Sequence, residues 1–223
     1  MTSSSDPEDE TTGDAGSPYA RLRAEVITHA IASGSVLTET SVGARYGVSR
    51  TPAREALTRL EQDRLVERVP RGYRVRVSTA EDVMELYEAR ISLESTAAAS
   101  AAMRRTELDL ARLQHLSDRL TAATDVADVT AVNAQWHETL WIAAHNSALE
   151  DLLQRVIAQM RLFDDGPVGA PPSVEETIQE HARILAAVRA NDAEEARVAL
   201  ADHLGRTRDI RLAALARTPV PTR

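Results

Sequence analysis

Five helix-start signals dominate the chain beyond residue 78 and constrain its fold more than any other feature. In each signal a side chain that can cap a helix is followed three positions later by an acid, which satisfies the free backbone amides of a first helical turn. With a further break near residues 146–147, they predict six or seven helices and no strand, and so an all-helical antiparallel bundle. The signals are Thr79/Asp82, Thr106/Asp109, Asp125/Asp128, Ser173/Glu176 and Asp192/Glu195.

The composition agrees with a mainly α protein and excludes several classes. All 26 basic residues of the 223 are Arg, and only 3% of the chain is aromatic, which favours helix. There is no cysteine, so disulfide frameworks and thiolate metal sites are excluded. No apolar run approaches the roughly 20 residues that span a bilayer, and no signal-peptide pattern is present. We therefore expect a cytoplasmic protein with no membrane partner.

The segment before residue 79 has a different pattern, in which three short helices precede a hairpin. A Gly ends the first helix, a Gly-Val turn follows the second, and Pro70–Gly72 forms the tight turn between two strands. This order predicts an N-terminal winged helix-turn-helix. The predicted elements are helices over 19–33, 40–46 and about 49–63, and strands over 65–69 and 73–77.

Charge and composition divide the chain into four parts. Residues 1–17 hold five acids and no base, which predicts a disordered acidic tail. Residues 18–78 carry eleven Arg against six acids in a chain whose net charge is −8, which points to a nucleic-acid-binding domain. Residues 79–217 form the predicted helical domain, and 218–223 a flexible tail.

The third helix carries the candidate DNA contacts. Its apolar residues recur on one face, which leaves Arg50, Thr51 and Arg54 on the opposite side of its first turns, where a helix in the major groove meets base edges. Hydroxyls and helix-start amides suit phosphate, and Arg suits guanine or phosphate. The alternative is a merely solvated helix face. The candidates, including the hairpin tip, are Ser49, Arg50, Thr51, Arg54, Arg71 and Gly72.

Three histidines fall on the inward faces of predicted helices. Asn133 and His137 are four residues apart and share a face, while His181 and His203 belong to apolar series on two other helices. Three imidazoles and an amide oxygen in one bundle core could hold a divalent metal such as zinc, nickel, iron or manganese. The alternative is three separate packing histidines, each with its own partner.

Arg90 interrupts another apolar series and needs an anionic partner if it is buried. One interpretation is an ion pair with Glu94 one turn later, and the other is a bidentate contact with the carboxylate of an effector. The series is Val83, Leu86, Arg90, Leu93 and Ala97.

Two stretches carry a family resemblance. VSRTPAREALTRLEQDRLVER followed by RGYRV resembles the GntR superfamily of bacterial transcription regulators, over about residues 19–78. The pattern from Asn133-x-x-Trp136-His137 through Glu180-His181 to His203-Leu204 is similar to the FCD ligand-binding domain of that superfamily, over about residues 80–217.

The resemblance implies roles for these residues. The six DNA-contact candidates match or adjoin DNA-contacting positions, and Arg90 matches a position that often binds the effector. Many FCD domains hold a divalent metal, here expected to be zinc, nickel or manganese, with an Asp and three His; Asn133 stands at the Asp position. We therefore expect a homodimeric repressor on a palindromic DNA operator, controlled by a small organic or sugar acid. The alternatives are a metal-dependent enzyme and a DNA-binding dimer with a structural metal.

Overall fold

A computed structural model describes residues 16–77, 79–162 and 173–217. These residues divide into two compact units: the N-terminal unit holds 16–77 with Arg161 and Leu162, and the C-terminal unit holds the rest. The predicted fold class is confirmed: a small winged helix-turn-helix is followed by a helical bundle. The predicted loop at 166–172, the tail at 218–223 and all but the end of the acidic tail lie outside the described residues. None of the described helices is long and apolar enough to cross a membrane.

The N-terminal unit contains three helices and a three-stranded antiparallel sheet in the order β1-β3-β2. The predicted hairpin is confirmed, whereas β1, which pairs with β3, was not predicted. The prediction that the first helix continues to residue 33 was wrong, because His29 adopts a left-handed φ of 58° directly after the cap at Thr28. The elements are α1 (Pro18–Ile27), β1 (Val36–Leu37), α2 (Glu39–Tyr46), α3 (Arg50–Gln62), β2 (Val66–Val69) and β3 (Gly72–Val75).

The helix α3 is oriented by its apolar face. Ser49 is its N-cap residue, and the face predicted to point inward is almost completely buried. Burial of such side chains contributes about 1.5–3 kcal/mol for each leucine, which fixes the helix rotation and leaves its opposite face in solvent. The buried residues are Ala53, Ala56, Leu57 and Leu60.

The C-terminal unit contains six helices among its described residues, in agreement with the prediction. All five predicted helix starts form, and in each the capping side chain accepts a hydrogen bond from the backbone amide three positions on. Helix α4 packs against α6, α8 and α9. The helices are α4 (Ala80–Arg104), α5 (Glu107–Ala122), α6 (Val126–Ala143), α7 (Ser147–Leu162), α8 (Val174–Arg189) and α9 (Ala193–Leu215).

One apolar core joins α4, α5, α6, α8 and α9, with Trp136 at its centre and fully buried. Polar side chains interrupt this core where α4, α6, α8 and α9 meet. Four of them are less than 4% exposed, an arrangement that costs free energy unless each finds a partner. They are Glu94, His137, His181 and His203.

Candidate functional site

The solvent-facing start of α3 carries two unburied guanidinium groups. The side chains of Arg50 and Arg54 are 75% and 63% exposed, and Ser49 and Thr51 are also exposed. The Ser49 side chain makes no capping hydrogen bond. All four predicted residues of this helix start therefore present polar atoms to solvent.

The wing tip is the second part of this surface. Gly72 has a φ of 134°, and a Cβ at this position would lie 2.3 Å from the carbonyl oxygen of Leu37 in β1. Only glycine fits this close approach, which pins the turn against β1. Of the predicted DNA contacts, Arg50, Arg54, Arg71 and Gly72 line one groove of about 430 Å³. Ser49 and Thr51 lie beside it on the start of α3. We call this surface the α3–wing groove.

Glu39, at the start of α2, lies in the same groove and was not predicted as a functional residue. Nε of Arg54 donates to Glu39 Oε1 at 2.7 Å, and Arg50 Nη2 donates to Glu39 Oε2 at 3.2 Å. The hydrogen bond from Arg54, together with the nearby positive charge, lowers the pKa of Glu39. A single carboxylate thus holds both arginines, a contact that joins two helices and has no signal in local sequence.

The three histidines predicted to converge do so in the C-terminal unit. One ring nitrogen from each of His137, His181 and His203 lies within 4.8 Å of the others, and all three side chains are buried. Nε2 of His137 is 3.2 Å from Nε2 of His203. Zinc–nitrogen bonds of 2.0–2.1 Å at a tetrahedral ion place two ligand nitrogens about 3.3 Å apart, so this pair fits a metal ion.

Three buried polar atoms of the candidate ligands have no hydrogen-bond partner among the described residues. They are both ring nitrogens of His181 and Oδ1 of Asn133, which lies one turn before His137 on α6. His181 stacks on Trp136, with 3.9 Å between ring centroids and 18° between planes, which fixes the imidazole in orientation. Because a buried polar atom without a hydrogen bond is costly, the chemistry of these atoms fits a bound cation. We call His137, His181, His203 and Asn133 the histidine centre.

The electrostatics at His181 and His203 favour neutral imidazoles, the form that binds metals. Burial lowers the pKa of His181 well below its ordinary value. Burial, with the nearby His137, lowers the pKa of His203 to about 4. At neutral pH both residues therefore offer a lone pair.

Two carboxylates behind the histidines were also not predicted as site residues. Glu94 Oε2 lies 2.7 Å from Nδ1 of His137, and Glu180 Oε2 lies 2.7 Å from Nδ1 of His203. Burial raises the pKa of Glu94, but Arg90 and His137 outweigh burial and hold it well below its usual range. Asp109 and His145 form a similar contact between a carboxylate and an imidazole, but neither residue belongs to the histidine centre.

Arg90 forms the ion pair that was one of its two interpretations. Its Nε donates to Glu94 Oε1 at 2.5 Å, and its side chain is 15% exposed. Part of the predicted inward series is confirmed, since Val83 and Ala97 are buried. Leu86, Arg90 and Leu93 are only partly buried, and the buried positions between the two ends include Tyr87 and Glu94 instead. The Ala-rich helix is apolar on several faces, so its sequence period alone does not locate the buried one.

A basic winged helix-turn-helix joined to a helical bundle with an internal polar centre defines a class of DNA-binding regulator. Residues 17–75 match the gntR family of bacterial regulatory proteins, and residues 85–206 match the FCD domain. The chain belongs to the GntR family and carries an FCD domain. It is a transcriptional regulator rather than an enzyme.

Individual relatives agree with this assignment. The chain is 28% identical over 184 residues to YdhC, an HTH-type transcriptional regulator of Bacillus subtilis, covering 80% of this chain and 82% of YdhC. It is 34% identical over 74 residues to the gluconate operon transcriptional repressor of B. subtilis, covering 33% and 30% of the two chains. Its fold resembles that of Escherichia coli McbR/YncC, with a TM-score of 0.68 and 25% identity over 88% of this chain and 95% of the other.

Proposed function

We propose that this regulator is a cytoplasmic, homodimeric repressor that binds a palindromic operator and is controlled by a small carboxylate at a divalent metal. Residues 18–78 would bind DNA, and 79–217 would bind the effector and dimerise, with tails at 1–17 and 218–223. Two protomers place two α3 helices on half-sites about one helical turn apart.

The α3–wing groove supports the DNA contacts. Arg50 and Arg54 reach guanine or phosphate, while Ser49 and Thr51 offer hydroxyls and helix-start amides to phosphate. At the wing tip, Arg71 and the closely packed backbone of Gly72 would contact the DNA groove next to the one that α3 enters. The exposure of Arg50 and Arg54 on one concave surface is the observation that supports this part.

The convergence of Nε2 of His137 and His203, with His181 beside them, is the single observation that carries the metal proposal. Together with Asn133 they would hold a divalent ion such as zinc, nickel or manganese. The bound ion supplies a Lewis acid that an effector carboxylate can ligate. A neutral amide in place of a carboxylate leaves more positive charge at the ion, which favours an anionic effector.

Arg90 is the proposed effector contact from the protein. The hydrogen bond from Arg90 to Glu94 uses Nε of the guanidinium. Nη1 and Nη2 therefore keep their N–H groups, which can donate to an anion. A small organic or sugar acid fits this chemistry, and one relative is a gluconate operon repressor. Such an effector changes operator affinity only by binding the DNA-competent and DNA-incompetent states differently.

Elemental analysis of untagged wild type, His137→Ala and the exposed control His115→Ala tests the centre. We expect about one metal ion per chain in wild type and His115→Ala, and none in His137→Ala. Absence of metal in all three, after supplementation with zinc, nickel and manganese, would refute the metal proposal.

DNA duplexes selected from a random pool then give an operator for fluorescence anisotropy. Gluconate, citrate and succinate are titrated against the metal-loaded complex, and we expect at least one to weaken operator binding in wild type but not in Arg90→Ala. If none changes operator affinity while the metal raises thermal stability, the metal is structural, and effector control is wrong.

A further inference from the structure

Two similar chains of charged side chains approach the histidine centre from opposite sides. On one side, Arg90 donates to Glu94, whose second oxygen contacts Nδ1 of His137. On the other side, Nε and Nη2 of Arg206 donate to the two oxygens of Glu180 at 2.6 Å, and Glu180 contacts Nδ1 of His203. His137 and His203 are therefore each held by a carboxylate that an arginine orients in turn.

These contacts determine which ring nitrogen is available. An ionised carboxylate only accepts hydrogen bonds, so the nitrogen facing it must carry the proton. In their neutral forms His137 and His203 thus carry the proton on Nδ1 and the lone pair on Nε2. The two Nε2 atoms are 3.2 Å apart, and two lone pairs at this distance repel unless a proton or a metal ion lies between them.

The candidate ligands are all uncharged, and this is the second argument for a role of the two carboxylates. Three neutral imidazoles and the amide of Asn133 bring no negative charge to a divalent ion. Glu94 and Glu180 are the acids that contact the ligand histidines in the described part of the chain. Each would place a negative charge on the far side of a ligand imidazole, which lies between the carboxylate and the ion.

We propose that Glu94 and Glu180 are positioning residues of the metal centre, which direct Nε2 of their histidines at the ion and supply the negative charge that Asn133 lacks. This inference rests on the proposed metal site. Carboxylates that hold a metal-ligating histidine raise its basicity and fix its ring, and their loss commonly weakens metal binding by 10–100-fold. Glu94 is fully buried and Glu180 is partly exposed, so the effect of Glu94 is the larger.

Zinc affinity, measured against a chelator of known affinity, tests the proposal on the full chain. We compare wild type with Glu180→Gln, which keeps an acceptor oxygen but removes the charge, and Glu180→Met, which removes both. The control is Glu138→Gln, an exposed acid next to His137 in sequence. We expect about 10-fold weaker binding in Glu180→Gln, a larger loss in Glu180→Met and no change in the control.

Glu94→Gln follows, with far-UV circular dichroism to verify its fold, since it leaves Arg90 without its carboxylate. Because Glu180 lies nearer the surface, the Glu180 series decides the result even where Glu94→Gln unfolds. Zinc affinity equal to wild type in both Glu180 variants would overturn the inference, whereas a wild type that binds none of zinc, nickel and manganese refutes the metal site itself.

Nitrogen NMR of the metal-free protein reports which ring nitrogen of His203 carries the proton. A purely structural role of Glu180 would leave this tautomer unchanged in the variants. We expect His203 to carry its proton on Nδ1 in wild type and to lose that preference in Glu180→Met. A proton on Nε2 of His203 in wild type would contradict the proposed positioning.

Discussion

The α3–wing groove and the histidine centre use the same ion-pair chemistry in opposite surroundings. In the groove, Glu39 holds Arg50 and Arg54 at the surface, where water screens the pair and a phosphate can replace the carboxylate. In the centre, Glu94 holds Arg90 and His137 with no exposure of its own. Surface pairs of this kind add little to stability because water screens them, whereas breaking a buried pair costs about 3–5 kcal/mol. The groove is therefore suited to exchanging partners, and the centre to keeping them.

The largest expected effect is a loss of operator affinity through the α3–wing groove, with no change at the histidine centre. Arg54→Ala removes a guanidinium from each α3 helix of the proposed dimer, which we expect to cost about 1–3 kcal/mol at each half-site. Zinc affinity should not change, because the substitution lies in the other unit. Fluorescence anisotropy with a selected operator measures the first quantity and chelator competition the second.

Arg45→Ala is the matched control, since it removes the same charge from the same unit outside the α3–wing groove. We expect it to weaken operator and random DNA alike and by less than Arg54→Ala. If Arg54→Ala binds the operator as tightly as wild type does, the groove is not the DNA-binding surface.

Lowering the pH should destabilise the unit that carries the histidine centre, without the same effect on the unit that carries the α3–wing groove. The pKa of His203 is about 4 in the folded state against an ordinary 6.5, so below pH 6.5 the unfolded chain binds a proton that the folded chain does not. The free energy of unfolding of the metal-free protein therefore falls from about pH 6.5 to about pH 4, by about 3 kcal/mol from this residue. His181 acts in the same direction.

The two tryptophans report this loss specifically, because Trp136 and Trp141 both lie in the C-terminal unit. Urea midpoints followed by their fluorescence should drop between pH 7 and pH 4.5, and zinc at pH 7 should raise them. Midpoints that stay constant over this range would show that the histidines are not held neutral by burial.

The smallest effect is expected from Glu39→Gln, with Glu67→Gln as an exposed control that pairs with Arg74 on the hairpin. Removing the Glu39 charge should strengthen binding to random DNA, since less negative charge faces phosphate. Operator preference should fall by about 2–5-fold, because both arginines lose their fixed positions. Measuring operator against random duplex at several salt concentrations separates the two effects. An unchanged preference would mean that Glu39 does not position these arginines.

The comparison also separates what sequence reveals from what it does not. Helix starts such as Thr79/Asp82 were predicted because both partners lie within one turn, and His181 and His203 because helical spacing gives their faces. Strand β1 was missed because its hydrogen bonds come from β3, far along the chain. The acids Glu39, Glu94 and Glu180 were missed for a related reason: each contacts a residue on another helix, and an acid on a helix is ordinarily solvated.

The close approach at Gly72 has a consequence for how specificity can change among descendants or engineered versions of this regulator. Since no side chain fits between this residue and the Leu37 carbonyl, substitutions there remove the wing rather than retune it. The neighbouring Pro70 and Arg71 are exposed and line the groove, so we expect substitutions to be accommodated there. We therefore expect new operator preferences to come from exchanging the side chains carried by the turn, with its backbone kept unchanged.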